Sequence, residues 1–528
     1  MNKNNRFFGL ASLGLLVALM PAACSSDDDD DSNNTAGTTS HGGTSTNGGT
    51  SSNGGGGKSN TAGTSGSGGS TSISGSSFGG DVGDVGEGGV GGEATVTTSR
   101  LRVVHASPNA PKVDVYPKGS DTAAIKGVAY GDASGFIEVD AGTIAFDLRA
   151  AGADPSDAPA FTTSDIDLKA GAEYTIVAAG DFNKQDDADV GFRVLPLEHD
   201  FDAAETGTAI ARVVHATSGW DTVDLDIVAS DDVDVPGIDR FADENNVVLP
   251  SGATIDIDFQ QDGKVLSKLV LPKLTAKSEL FVIATGNPGL PFRQPANGFA
   301  LLVVDQDGNT SWVEENPWIH IVHASDIGKA DIYEATHTDD LLVDNLSAET
   351  LGAFQLPASS AGFNLRAVDD AAANGAATTV ATGKTSSIKV GEHYLAYIAA
   401  NTIQTVHENF DLDKTDKVLL RAVHAARNTE IPETLDIGPV DGTSLESVLF
   451  DGIQPATFSD DAGLSVDPGD ITLGATATGT VTPLLASKEL SGDDAPVAGE
   501  TDFVLVTGTS AAAKLWLVNT SVPGWSIR

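Results

Sequence analysis

The chain has 528 residues, a formal charge of −44 from 74 acidic and 30 basic side chains, and a single cysteine. A surface that acidic repels phosphate backbones and anionic head groups, which argues against nucleic acid and against direct docking on lipid. One thiol allows no internal disulfide, so stability must come from packed cores.

Lys3 and Arg6 precede an apolar run from Phe7 to Met20, and a small-residue cleavage site, Pro21-Ala22-Ala23-Cys24, follows it. Residues 1–23 are therefore expected to be an export signal. The run is too short to rest as a permanent anchor across about 30 Å of hydrocarbon. Ala22, Ala23 and Cys24 resemble the lipobox of bacterial lipoproteins, with Pro21 where that family usually has leucine. The resemblance implies that Cys24 is the lipidation site and that the membrane is held through lipid alone. Ser25 rather than Asp follows the cysteine, which by the same resemblance implies sorting to the outer membrane or cell surface.

Residues 24–98 open with carboxylates from Asp27 to Asp31 and continue in Gly, Ser, Thr and Asn, with apolar side chains nearly absent before Val82. Chain entropy is not offset by burial in such a segment, so a disordered Gly/Ser/Thr-rich tether is expected. Its mean reach is on the order of 50 Å.

From residue 99 one pattern recurs at nearly equal intervals: Val103-Val104-His105-Ala106, Val213-Val214-His215-Ala216, Ile321-Val322-His323-Ala324 and Ala422-Val423-His424-Ala425. That period is one small domain per copy. It predicts units at 99–205, 206–316, 317–416 and 417–528. Short period-two strands separated by Gly, Pro, Asp and Ser fill each unit, such as Val113 and Val115 around Asp114, and Tyr174-Thr175-Ile176-Val177. The latter has counterparts in Leu280 to Ile283, Tyr394 to Tyr397 and Phe503 to Val506. A unit of this size with roughly seven strands predicts an all-β chain of four tandem immunoglobulin-like β-sandwich domains.

The run from Arg102 to Tyr116, Arg-Val-Val-His-Ala-Ser-Pro-Asn-Ala-Pro-Lys-Val-Asp-Val-Tyr, resembles the opening signature of domain-of-unknown-function family 4397 (DUF4397). Gly127-Val128-Ala129-Tyr130 and Ala141-Gly142 extend the likeness in the first repeat. The fourth repeat departs most, with Arg427 to Thr434 in place of the Ser-Pro turn. The resemblance implies a bacterial cell-surface setting, often in tandem modules, and no established biochemical activity.

In a strand, the residues two and four before each histidine share its side. These are Val103 and Leu101, Val213 and Ala211, Ile321 and Ile319, Ala422 and Leu420, all apolar. His105, His215, His323 and His424 are thus expected to face a core, neutral and bonded to a backbone group. Arg102, Arg212, His320 and Arg421, three before, suit an outward face. One histidine per domain does not supply the converging ligands of a metal centre. An acid follows each histidine, at Asp114, Asp224, Asp331 and Asp436; Asp114, between Val113 and Val115, faces away from their side.

Ser107 has no counterpart at Ala426, so a Ser-His-Asp triad is not supported, and no nucleophile elbow or phosphate-binding loop is present. No catalysis and no cofactor are expected. Asp305, Asp307 and Asn309 place oxygens at alternate positions and are weak calcium candidates, yet Thr310 and Asn316 stand where an EF-hand needs Gly and Glu. The loops at Asp411-Leu412-Asp413 and Asp186 to Asp189 read as solvated turns. Trp220, Tyr116 and Tyr130, near strand ends, suit either sugar stacking or packing. The function expected is non-catalytic binding or adhesion at the envelope, toward a surface polysaccharide or protein; the alternatives are a structural spacer or a calcium- or polysaccharide-binding surface protein.

Overall fold

The computed structural model describes residues 96–528 apart from 229–232, 292–297, 326–327, 337–339, 370–377, 426–430, 456, 460–462, 483 and 509–511. The export signal, Cys24 and nearly all of the 24–98 segment lie outside the described residues. What is described is all-β, as the alternating pattern requires; the other regular elements there are two short 3₁₀ turns, Phe182–Lys184 and Gly492–Asp494.

The hydrogen-bonded ladders stay within the repeat spans read from the histidine spacing. In the first, Arg193–Glu198, Glu173–Ala179, Thr98–His105 and Ile137–Asp140 form one sheet, and Ile125–Val128, Val113–Pro117, Phe146–Ala150 and Phe161–Thr162 form another. Leu101 and Val103 from the first sheet meet Val113, Val115, Phe146 and Leu148 from the second in one buried core, a sandwich-like arrangement. A two-stranded ladder of Gly142–Ile144 and Ile166–Leu168 completes the first span, and the second and fourth spans each divide into two sheets.

One feature is common to all four. The strand that carries the histidine runs parallel to a strand from the far end of its own repeat: Thr98–His105 beside Glu173–Ala179, Thr208–His215 beside Glu279–Thr285, Trp318–His323 beside His393–Ala399, and Val418–His424 beside Thr501–Thr507. These later strands are the Tyr174, Leu280, Tyr394 and Phe503 segments.

The third span departs from the two-sheet layout. Its strands form one eight-stranded sheet, because Thr378–Lys384 pairs with Thr402–His407 through Thr382–Thr402 and Gly383–Ile403. Gly383 makes this pairing possible, since a Cβ there would lie 1.9 Å from the Ile403 carbonyl oxygen. Gly383→Ala should part the two strands and destabilise the third span by on the order of 2 kcal/mol. Hydrogen exchange at the 402–403 amides checks it; unchanged protection would refute the pairing.

The face of the histidine strand expected to point outward does not meet solvent. Arg102 and Arg421 are fully buried and His320 is 2 % exposed; Arg212 keeps only 13 % of its side chain accessible. The reason is that neighbouring repeats pack sheet on sheet. Val104, Ala106 and Val177 of the first repeat share a cluster with Val214, Ala216, Phe281 and Ile283 of the second. Val322, Leu395 and Tyr397 of the third share another with Val423, Phe503 and Leu505 of the fourth. Each histidine strand is therefore sandwiched on both faces, which is why its apolar residues come in unbroken doublets such as Val103-Val104 rather than in alternation.

The buried cations tie each repeat to its neighbour. Arg102 donates from Nε to Thr175 Oγ1 (2.9 Å) within its repeat and from Nη1 to the Asp305 carbonyl (2.9 Å) of the next. Arg212 reaches back to the Glu198 carbonyl (2.5 Å) and to Asp200 (2.9 Å). Arg421 donates to the His407 carbonyl (2.5 Å) and lies 5.3 Å from the Phe503 ring. In the third repeat His320 stacks on Trp525 of the fourth, 4.0 Å between ring centroids. Arginine suits this position because its planar guanidinium satisfies several carbonyls while lying against aromatic rings.

Candidate functional site

The four repeated histidines are 0–1 % exposed. Nε2 of His105 lies 3.1 Å from the Pro111 carbonyl, that of His323 2.9 Å from Gly328, and that of His424 3.3 Å from Pro432. His215 differs, with both ring nitrogens buried and without a hydrogen-bond partner among the described residues. The rings of His105, His323 and His424 thus hold the loop that carries the chain to the strand bearing the acid. Burial pushes the pKa of all four down, to about 4 for His215. A neutral ring is the low-energy form there.

The four acids do matching work on the strand that follows each histidine strand. Gly127 N–H donates to Asp114 Oδ1 (2.7 Å), Gly237 N–H to Asp224 Oδ1 (2.8 Å), Asn345 N–H to Asp331 Oδ1 (2.8 Å) and Gly452 N–H to Asp436 Oδ1 (2.9 Å). Each of these donors has a left-handed backbone, with φ between 54° and 69°. Each also sits at a bulge where the ladder shifts register opposite the acid. Glycine takes that conformation freely, and Asn is the side chain that tolerates it best. Asp114 and Asp436 accept a second backbone donor, Gly152 N–H (3.1 Å) and Gly479 N–H (2.9 Å). The recurring acid is a carboxylate pin for a β-bulge.

Ser107, His105 and Asp114 are not assembled with one another. Ser107 donates to the Gly180 carbonyl (2.6 Å), His105 is engaged with Pro111, and Asp114 lies in the other sheet. At the calcium candidates, Asp305 Oδ1 accepts Asp307 N–H (2.9 Å) and Asn309 N–H (2.8 Å), while Oδ2 accepts the Asn309 side-chain amide (2.8 Å). Asn309 thus turns its NH₂ toward the carboxylate, and the Asp305 carbonyl holds Arg102. The aromatics considered for sugar stacking are packed. Tyr116 is buried beneath Arg149 (5.4 Å). Tyr130 lies 5.2 Å from Trp312, and Trp220 lies 4.6 Å from Phe299.

Two features were not anticipated as sites, the first having been expected on an outward face. One is the inter-repeat set of Arg102, Arg212, His320 and Arg421 described above. The other is a groove of about 700 Å³ between the second and third repeats, walled by Asp256, Asp258 and Lys268 on one side and Trp318, Asp340 and Leu341 on the other. Its floor is tied down. Asn316 N–H donates to the Lys268 carbonyl (2.7 Å), Lys268 N–H to Gln355 Oε1 (2.8 Å), and Ser267 Oγ and Trp318 Nε1 to Glu315 Oε2 (2.8 and 2.9 Å). The segment joining these repeats is thus bonded to both.

Residues 99–226 match a domain of unknown function, DUF4397. The match supports one such domain within those residues. The matched stretch covers all strands of the first repeat and ends within the acid-bearing strand Thr222–Ile227 of the second. DUF4397 thus spans the His105 and His215 strands that pack on each other, and its description assigns no chemistry. No curated protein matches the chain.

Proposed function

We propose that this is a lipid-anchored envelope protein, acylated at Cys24 and sorted to the outer membrane. Its four tandem immunoglobulin-like modules bind a surface partner without catalysis. The observation that carries this reading is the employment of the repeated polar residues. Three of the four histidines and all four acids hold backbone groups of their own repeats, so what repeats is architecture, and the variable surfaces between and beyond the ladders are left for recognition. The paired burial of neighbouring repeats favours one further reading, a spacer that sets a fixed distance from the membrane.

Protease shaving of intact cells separates them. Release of the 99–528 body from wild-type cells, with Cys24→Ala protein found free in the medium, is the expected result. Protection of the wild-type body until the outer membrane is broken would remove the surface-binding reading in favour of a periplasmic spacer.

A further inference from the structure

We infer that the groove between the second and third repeats binds an extended peptide segment in which basic and apolar side chains alternate. This rests on the surface-binding reading above and names its ligand class. The groove is concave and of the volume ligand sites usually have. Its walls are chemically mixed. Val228 and Leu341 line it and are 52 % and 50 % exposed, among the most exposed large apolar side chains described. Leu342, Val265 and the partly exposed Trp318 continue the apolar surface.

Beside these lie Asp256, Asp258 and Asp340 against a single cation, Lys268, whose ammonium is 3.4 Å from Asp258. Asp256 and Asp340 are exposed and have no basic partner among the described residues. The groove therefore keeps an uncompensated negative charge next to uncovered aliphatic surface. A ligand complementary to it carries positive charge and apolar side chains together. The partly exposed ring of Trp318 is tied through Nε1 to Glu315, and the exposed apolar side chains are aliphatic, which favours such a peptide over a neutral sugar.

The walls also bear on the shape of the occupant. Asp256 is exposed on the strand Ile255–Gln261, whereas Asp258 is 8 % exposed and paired with Lys268, so Asp256 and Asp340 are the carboxylates left for a ligand, one on each wall. The edge of Lys264–Leu271 is taken at Lys268 and Leu269 by Asn316, Gln355 and Glu315. Asp340–Leu346 is the terminal strand of its sheet, and an extended backbone is accommodated alongside such an edge.

The occupant comes from outside the chain. The 24–98 segment contains one basic residue, Lys58, and a second copy would bring a further charge of −44.

The test uses the mature full chain and two short synthetic peptides of equal length, one alternating Lys with Val and one with Glu in place of Lys, together with neutral oligosaccharides as competitors. Isothermal titration across a salt series reads binding. The expected result is saturable binding of the Lys peptide alone, weakening as salt rises. It should fall at least tenfold in the Asp256→Asn, Asp340→Asn double variant and in Leu341→Ser. All three positions are exposed, and unchanged thermal melting would show that the variants fold. Equal binding of both peptides, binding unaffected by the variants, displacement by the oligosaccharides, or no binding would each overturn the inference. A chain that shaving places on the surface but that ignores the Lys peptide would sink this ligand assignment and leave the surface-binding reading standing.

Discussion

Asp436→Ala should destabilise the fourth repeat by about 2 kcal/mol and expose two backbone amides to exchange. The carboxylate is 4 % exposed and accepts Gly452 N–H and Gly479 N–H, both at 2.9 Å. Removing it leaves two backbone donors without their acceptor, one at half-buried Gly452 and one at exposed Gly479, where water can take part of its place, so the loss is about 2 kcal/mol in all. Burial acts to raise the Asp436 pKa, but the bonds from Gly452 and Gly479 outweigh it and hold the group below its ordinary value. Its share of stability is therefore present above the usual carboxylate range and lost as pH falls through the depressed value.

Asp436→Asn should recover about half the loss, because its amide oxygen still accepts one N–H while its NH₂ opposes the other. Asp224→Ala should cost less than Asp436→Ala, since Asp224 is half-buried and holds Gly237 alone among the described residues. Hydrogen exchange at Gly452 and Gly479 is the deciding measurement, because four repeats need not unfold as one two-state unit. Full protection of both amides in Asp436→Ala would refute the pin.

The second large effect is acid sensitivity. The pKa of His215 is pushed down to about 4, first by burial and then by Arg240. That of His320 falls well below its ordinary value, first by burial and then by His393. A histidine depressed in this way refuses a proton that the unfolded chain accepts. Its contribution is complete above pH 6.5 and is lost as pH falls toward 4, at about 1.4 kcal/mol per pH unit. For His215 alone the loss is about 3 kcal/mol. His105, His323 and His424 shift in the same direction.

Asp502 opposes the trend. Burial raises it to about 6 despite Arg528, so the folded state gains relative stability as pH falls through that value. Burial raises Asp258 and Glu314 as well, but the depressed histidines outnumber these three acids, and the melting temperature of the mature chain should fall steeply between pH 6.5 and 4. His215→Gln should lower the melting temperature at pH 6.5 and flatten the slope for the second repeat. A wild-type profile flat over that interval, or parallel slopes for variant and wild type, would contradict neutral burial.

How much of this was legible in the chain differs from residue to residue. The direction of His105, His215, His323 and His424 follows from strand alternation and the apolar residues two and four before them. The acids were visible as a recurrence but not as a function. Their partners lie on the following strand, at Gly127, Gly237, Asn345 and Gly452. A glycine or asparagine at a similar distance after each acid was the available signal, hidden because bulges break the period that strand reading relies on. The outward reading of Arg102 and Arg421 failed for a different reason. Alternation separates two faces of a strand without saying what covers the second, and the doublet Val103-Val104 was the only hint that both are covered.

By itself, then, the amino-acid order determined the β class, the period of the repeats and the core-facing side of each histidine strand, because these follow from local side-chain periodicity. Tertiary structure alone decided the parallel pairing of each histidine strand with a distant one, the single continuous sheet of the third repeat, the burial of arginine between neighbours and the groove beside Trp318. Each of those depends on which distant surfaces meet, and contacts between segments far apart in the chain leave no fixed spacing for a sequence to display.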